Sequence, residues 1–504
     1  MKNQKYHTYL FLILLVIFYS ILNYQYILFL KPQGIHFIRQ TDGLSFVMNY
    51  YKGGFHFFEP QVYNLRSLDG KAACEFPILY YLTALLYFVF DEHEYFLRLI
   101  TLLIASLGFV YLFKTILLLL KDSIYAFIFT FIFLSSTVLL YYTNNFLPDA
   151  SAFGLVLIGW YFFFKFNLLE KKTRFLVISF AFFALASLLK ITSFINPIAA
   201  FIALLCYDYM ESKQLKFFMK RNLKTILLFG SALLLVCCWN AYVKYYNIAS
   251  NDLYFLTKPL PLWSLNGSQQ AEVWDHISNY WYSQYYYQST FHFFIIIILL
   301  GMLFLNKVNR RLMIPTLFLG LGSISFFLLF FKQFQDHDYY FITLLPGLIL
   351  LILTCFIAIQ QRFTVIINHW LVKIVLLLLC ILSLNYSREK LAQRYANKTD
   401  QISNIGSKLA ETKQDLDALG VPEKAKIILM SDKSRNGGLY FIHRQGWNLP
   451  DKTDRDLKEM DYFVKHGASY LIIIDKIYVP STEKWIKMSD KRGVAIFKLN
   501  KINS

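Results

Sequence analysis

The sequence predicts a polytopic α-helical membrane protein that ends in a small soluble α/β domain. Three observations predict it. Apolar runs of about 20 residues recur through the first three quarters of the chain, the length needed to cross a bilayer core. The loops between them alternate between basic and non-basic, as the positive-inside rule requires of a multi-pass protein. From about Ser387 the composition changes to a mixed-charge segment with short β-rich runs. The 504 residues are 57% hydrophobic and 19% aromatic, with a mean hydropathy of +0.43, values that ordinary soluble domains do not reach.

Spans are expected near 8–30, 98–120, 123–143, 150–168, 174–190, 193–210, 222–243, 292–305, 311–331, 339–360 and 363–385, about eleven in all. The first run is too long for a signal-peptide core and no small-residue cleavage site follows it, so it reads as a retained span. The run from Pro77 to Phe90 is short for a span and reads as an interfacial or re-entrant helix. With that run left out of the membrane, the basic clusters share one side. They include Lys2 and Lys5; Lys165, Lys171, Lys172 and Arg174; Lys213, Lys216, Lys220, Arg221 and Lys224; and Lys307, Arg310 and Arg311. The N-terminus is then cytoplasmic, and counting 77–90 as a span would put most of this charge outside.

Three outer segments follow: the first loop, 31–97; a loop over 244–291; and the tail. The expected domains are a transmembrane catalytic domain over 1–386 and an extracytoplasmic α/β domain over 387–504. In the tail a helical stretch is expected around 398–419, and strands at "KIILMSD", "GLYFIH" and "ASYLIIID". Five of the six cysteines lie in apolar runs and only Cys74 lies in an aqueous loop, so no disulfide framework is implied.

The net charge of +18 suits anionic lipid or anionic substrates. Its scatter between spans argues against nucleic acid binding. No phosphate-binding Walker loop, dinucleotide glycine fingerprint, zinc-ligand spacing or Gly-x-Ser-x-Gly occurs, which argues against a nucleotide-driven pump and a soluble-donor enzyme. No cofactor or metal is expected.

The ionisable residues that can carry chemistry crowd the outer surface. Asp42, in "HFIRQTDG", can act as a general base on a hydroxyl; a solvated loop acid is the alternative. Asp149 is the single charge of the short turn "NNFLPDASAFG". It reads as an N-cap and, as an acid at a membrane helix end, as a functional candidate. Glu75 precedes Pro77, suits the first turn of the interfacial helix, and either serves its dipole or lines a cavity with Asp42. "FFKQFQDHDYYFITLLPG" brings Lys332, His337 and Tyr340 to one outer point that could hold a phosphate. Arg39 and Lys258 are further outer cations for a phosphate or for lipid headgroups. Lys190 ends a span and can snorkel there. Trp263, Trp274, Tyr280 and Trp281 can stack on sugar faces or anchor the interface.

These clusters, in this order, resemble the bacterial branch of the GT-C glycosyltransferases, which includes protein O-mannosyltransferases and the aminoarabinose transferase of lipid A. "HFIRQTDGLSFVMNYYKGGFHFFEP" looks like a bacterial subgroup with "His-x-x-Arg-Gln-x-Asp", and "HDYYFITLLPG" looks like that subgroup's later motif. The resemblance covers essentially the whole chain. It implies a GT-C fold and transfer of a sugar from a polyprenyl-phosphate carrier to a glycan, lipid or protein acceptor, at the outer face of a bacterial cytoplasmic membrane. The family's first-loop aspartate falls on Asp42 and its second-loop acid on Asp149, and its "Glu-Lys-Pro" falls on Glu75-Phe76-Pro77. The chain departs from the pattern at Gly43, where a second acid is common, and at Phe76, which stands for the family lysine. Arg39, Lys258, Lys332, His337 and Tyr340 are then the candidates for the donor phosphate. A transporter or flippase of lipid-linked sugars is the alternative activity; it needs charges deep in the spans, and these spans hold few. A catalytically dead scaffold whose tail binds glycans is the third.

Overall fold

The computed structural model describes residues 2–213, 218–251, 254–255, 258–396, 402, 404–409, 411–450, 454–474 and 485–499. Lys216 and residues 398–401 of the expected tail helix lie outside the described residues. The chain forms two compact units: Met1–Leu28, Arg98–Asn240 and Thr257–Ala392 in the first, and Phe29–Leu97, Ala241–Leu256 and Gln393–Ser504 in the second.

The first unit is helical. Among the described residues, seven helices are long and apolar enough to cross a membrane, or up to nine if each of two bent pairs is one span. The two other expected spans, 8–30 and 174–190, hold shorter apolar helices, Lys5–Ile21 and Thr173–Leu189. The segment 123–143 is two helices, Ser123–Leu134 and Thr137–Thr143, bent by 82°. The break has a local cause: Ser136 starts a new helix, its hydroxyl accepting the Leu139 amide at 3.3 Å. The last expected span begins later, as Trp370–Ala396. Glycine permits one close crossing: a Cβ on Gly108 would lie 2.2 Å from the Gly154 Cα, so the two backbones touch.

The second unit is α/β. Its sheet contains β1 (Lys426–Met430), β2 (Gly446–Leu449), β3 (Ala468–Ile474), β4 (Trp485–Lys491) and β5 (Val494–Leu499), in the order β2-β1-β3-β5-β4. β2, β1 and β3 are parallel, while β5 and β4 run antiparallel. Alternate residues Ile428 and Met430, Leu471 and Ile473, and Ala495, Phe497 and Leu499 share one core with Trp447 and Phe463, the period of two expected of a sheet face. Loop residue Asn64 bridges to Gly446, with the Leu65 amide donating to the Gly446 carbonyl at 2.7 Å. The first loop thereby covers the open β2 edge.

One expected strand is a helix. Gly438–Ile442 of "GLYFIH" lie in the helix Gly437–Ile442, with His443 as its C-cap, and the strand is the following "GWNL". Leu439, Tyr440, Phe441 and Ile442 are all buried, and an apolar run buried on every side carries no period to tell the two apart. Asp432 decides it: its carboxylate accepts the Gly438 amide at 3.1 Å, at the helix start. Pro77–Phe90 yields a helix of 13 residues, Ile78–Phe90. The helix Phe218–Ala249 outruns its expected end at 243. That extension places Asn247 against the first loop, where its side chain accepts the Ala73 amide at 2.8 Å and donates to the Ala73 carbonyl at 2.9 Å.

Candidate active site

In the second unit the helix Phe37–Gly53 follows His36, whose φ of 59° turns the chain sharply into it. Spacing of three residues puts Arg39 and Asp42 on one face. Asp42 is 1% exposed. Its Oδ1 accepts the Tyr254 hydroxyl at 2.7 Å and the Asn436 amide at 3.3 Å. Its Oδ2 lies 3.7 Å from Arg39 Nη1. Arg39 is committed elsewhere too: its Nη2 donates to both Glu75 oxygens at 2.9 Å, and its guanidinium lies over the Phe255 ring, 5.1 Å from the centroid. Tyr80 donates a further hydrogen bond to Glu75.

One guanidinium between two buried carboxylates separates them electrostatically. Burial pushes Asp42 up to about 6, against the pull of Arg39 and the hydroxyl of Tyr254. Glu75 meets the same burial, but its closer pairing with Arg39 wins and brings it down to about 2. Asn436 ties this cluster to the sheet. Its Nδ2 also donates to Ser45 Oγ at 2.7 Å, and its Oδ1 accepts the amides of Tyr63 and Asn64 at 3.0 and 3.2 Å.

In the first unit Asp149 is 4% exposed. The N-cap expectation is corrected: Asp149 is the first residue of the helix Asp149–Phe164, Pro148 takes the cap position, and no side-chain cap bond forms. Its Oδ1 instead lies 2.8 Å from Lys190 Nζ. That ammonium sits over the rings of Tyr339 and Tyr340, 4.4 and 5.3 Å from their centroids. His337 stacks on the same two rings at 5.3 and 5.9 Å, and Tyr142 donates to Asp338 Oδ1 at 2.6 Å.

The fold recurs in solved structures. The crystal structure of ArnT from Cupriavidus metallidurans in the apo state aligns with a TM-score of 0.61 at 12% identity, covering 99% of this chain and 98% of that one. The chain has the GT-C fold. A second structure of that ArnT, bound to undecaprenyl phosphate, aligns at 0.60 and 11% identity over 97% of this GT-C chain and 98% of its own. The archaeal oligosaccharyltransferase AglB from Archaeoglobus fulgidus, in complex with an inhibitory peptide and a dolichol-phosphate, aligns at 0.54 and 14% identity over 94% of this chain and 70% of that one. Residues 74–243 match a family described as dolichyl-phosphate-mannose-protein mannosyltransferase. That stretch of the GT-C chain contains Glu75, Asp149 and Lys190 and leaves out Asp42. No curated protein matches the sequence.

The sequence suggests Glu75 in one cavity with Asp42 and gives Arg39 to a phosphate; in the structure Arg39 lies between Asp42 and Glu75. Of Lys332, His337 and Tyr340, expected at one outer point, His337 and Tyr340 stack on each other. Glu75 stands before the helix Ile78–Phe90 rather than in its first turn. Lys332 pairs with Gln335 and lies 3.6 Å from Glu272, and Lys258 is exposed. Trp281 donates its indole N–H to the Gln335 carbonyl at 2.9 Å, whereas Trp263 is 67% exposed. Tyr254, Asn436, Tyr80 and the Asp149 partner Lys190 were not singled out for these roles. Tyr254 and Asn436 lie far from Asp42 in the chain and have no local signal. Lys190 had one: a lysine at a span end opposite a lone acid. The two departures from the family pattern also have structural counterparts. A Cβ on Gly43 would lie 2.9 Å from the Tyr80 ring, which fills that space. Phe76 packs edge-on against Phe57 at 5.2 Å.

Proposed function

We propose that the protein is an inverting glycosyltransferase that moves a sugar from a polyprenyl-phosphate carrier to an acceptor hydroxyl. The reaction takes place at the outer face of a bacterial cytoplasmic membrane, with the N-terminus inside. The observation that carries this reading is Asp42: a buried carboxylate pushed up to about 6, beside an Arg39–Glu75 pair, in a GT-C fold. A base that titrates near neutral pH is suited to taking a hydroxyl proton. The lipid phosphates named for the ArnT and AglB structures support a lipid-phosphate donor here.

In the step, the acceptor oxygen attacks the anomeric carbon and forms the new C–O bond. The bond from that carbon to the phosphate oxygen breaks on the opposite face, and polyprenyl phosphate leaves with the electron pair. The acceptor proton goes to Asp42. Arg39 keeps Glu75 ionised and holds Asp42 ready, a positioning role. Arg39 in the second unit, and Lys190, His337 and Tyr340 in the first, are the candidate groups for the developing phosphate charge. Lys258 and Lys332 serve the lipid surface or the arriving donor. A monophosphate leaves without a metal clamp, so transfer is metal-independent.

The test is release of polyprenyl phosphate from labelled polyprenyl-phosphate sugars in proteoliposomes, with mannose, glucose and aminoarabinose donors. Wild type is expected to release it with at least one donor. Full activity in normally expressed Asp42→Asn would sink the mechanism, and passage of intact donor across the bilayer without cleavage would favour a flippase.

A further inference from the structure

Inside the second unit a cleft of about 760 Å³ opens between loop residues 64–69 and the tail sheet. That volume suits a ligand of several rings. Its position matters more than its size. Tyr254 lines the cleft, and the hydroxyl of the same residue donates to Asp42 Oδ1 at 2.7 Å. One side chain therefore joins this opening to the buried carboxylate.

The chemistry of the walls is mixed. Trp447 and Phe463, stacked on each other at 5.0 Å and 12° in the sheet core, back the cleft. Tyr462 is 56% exposed and lies against the His466 ring at 3.9 Å; exposed aromatic side chains of this kind are the surface on which the C–H face of a pyranose packs. The cleft is lined by three cations, Arg66, Lys426 and Arg435, and two carboxylates, Asp69 and Glu459. Arg66 lies 3.6 Å from Glu459, so one pair is matched, and the cations remain in excess by one. An acyl chain would need a continuous apolar wall, which Arg66, Asp69 and Arg435 interrupt. Aromatic faces, polar walls and surplus positive charge fit a sugar chain with acidic groups.

We propose that this cleft is the acceptor site and that its acceptor is a saccharide carrying carboxylate or phosphate groups, with the reacting hydroxyl delivered at the Tyr254 end. The proposal rests on the transferase reading for the word acceptor; the saccharide site itself does not.

The test uses full-length protein in nanodiscs, without donor. Hexagalacturonate and the neutral maltohexaose are titrated by calorimetry, and saturation-transfer NMR reports which sugar protons meet aromatic rings. Hexagalacturonate is expected to bind about tenfold tighter than maltohexaose, and Arg435→Gln and Tyr462→Ala each to weaken it by about fivefold. Both positions are exposed, and unchanged thermal unfolding would certify the fold of each variant. Equal binding of the two sugars, or binding unmoved by both substitutions, would overturn the proposal. The expected pattern in a protein that releases no polyprenyl phosphate from any donor would sink the transferase reading and leave the saccharide site standing.

Discussion

Asp42 and Asp149 are both buried acids in polar motifs, and the two units give them opposite company. Asp149 has its own cation, Lys190, at 2.8 Å. Asp42 has neutral partners, Tyr254 and Asn436, and only a 3.7 Å share of a guanidinium that Glu75 holds bidentately. The difference teaches how a fold selects its base. A carboxylate with a dedicated ammonium is committed to holding that cation in place. A carboxylate buried beside a committed cation keeps a proton affinity useful near neutrality.

The comparison can be broken most directly at Asp42. Asp42→Asn is expected to lower transfer by about 10²–10⁴-fold, read as polyprenyl phosphate release, while thermal unfolding stays close to wild type. Gly446→Ala should damage the support of Asp42 from a distance. Its Cβ would lie 1.8 Å from the Ile427 carbonyl oxygen, so β1–β2 pairing cannot persist. The loss should be about 2–4 kcal/mol in stability, seen as protease cleavage in the tail. Asp149→Asn leaves Lys190 without its carboxylate, and about a tenfold loss of transfer through weaker donor binding is expected. A loss as large as that of Asp42→Asn would erase the distinction between the two acids.

A smaller effect is on pH. Transfer needs ionised Asp42, so activity should fall as pH drops through about 6. Arg39→Gln removes the nearest cation, so the acidic limb should move upward, by about one unit. Tyr254→Phe should move it the same way by less. Stability runs with opposite signs at the two acids. The Asp42 contribution falls as pH rises from its ordinary range through about 6. That of Glu75 is present above its ordinary value and is lost as pH falls toward about 2. The smallest expected effect is none: excess EDTA should leave transfer rates unchanged.

Much of the helical unit was legible because a bilayer imposes a length and a composition on every span. The errors fall where that constraint ends. Ser136 breaks 123–143 with a hydrogen bond too local for a hydropathy window to register. In the tail, burial on all sides erased the period of "GLYFIH", and the Asp432 carboxylate takes up the Gly438 amide near the start of the helix that forms there. Arg98 shows the same limit. It is fully buried at the start of Tyr95–Leu120, donating to the Asn144 carbonyl and lying over Phe146 at 4.1 Å, although the spans read as poor in charge.

The sequence by itself determined that the chain carries a series of apolar helices of membrane-spanning length and that its candidate polar residues gather in a few motifs. Both follow from composition and hydropathy. Tertiary structure decided the rest. Lys190 faces Asp149, Glu75 takes most of Arg39, and Tyr254 and Asn436 close over Asp42 from 212 and 394 residues away. A carboxylate's proton affinity depends on burial and on the nearest charges, and for Asp42 those are supplied by segments that only folding brings together.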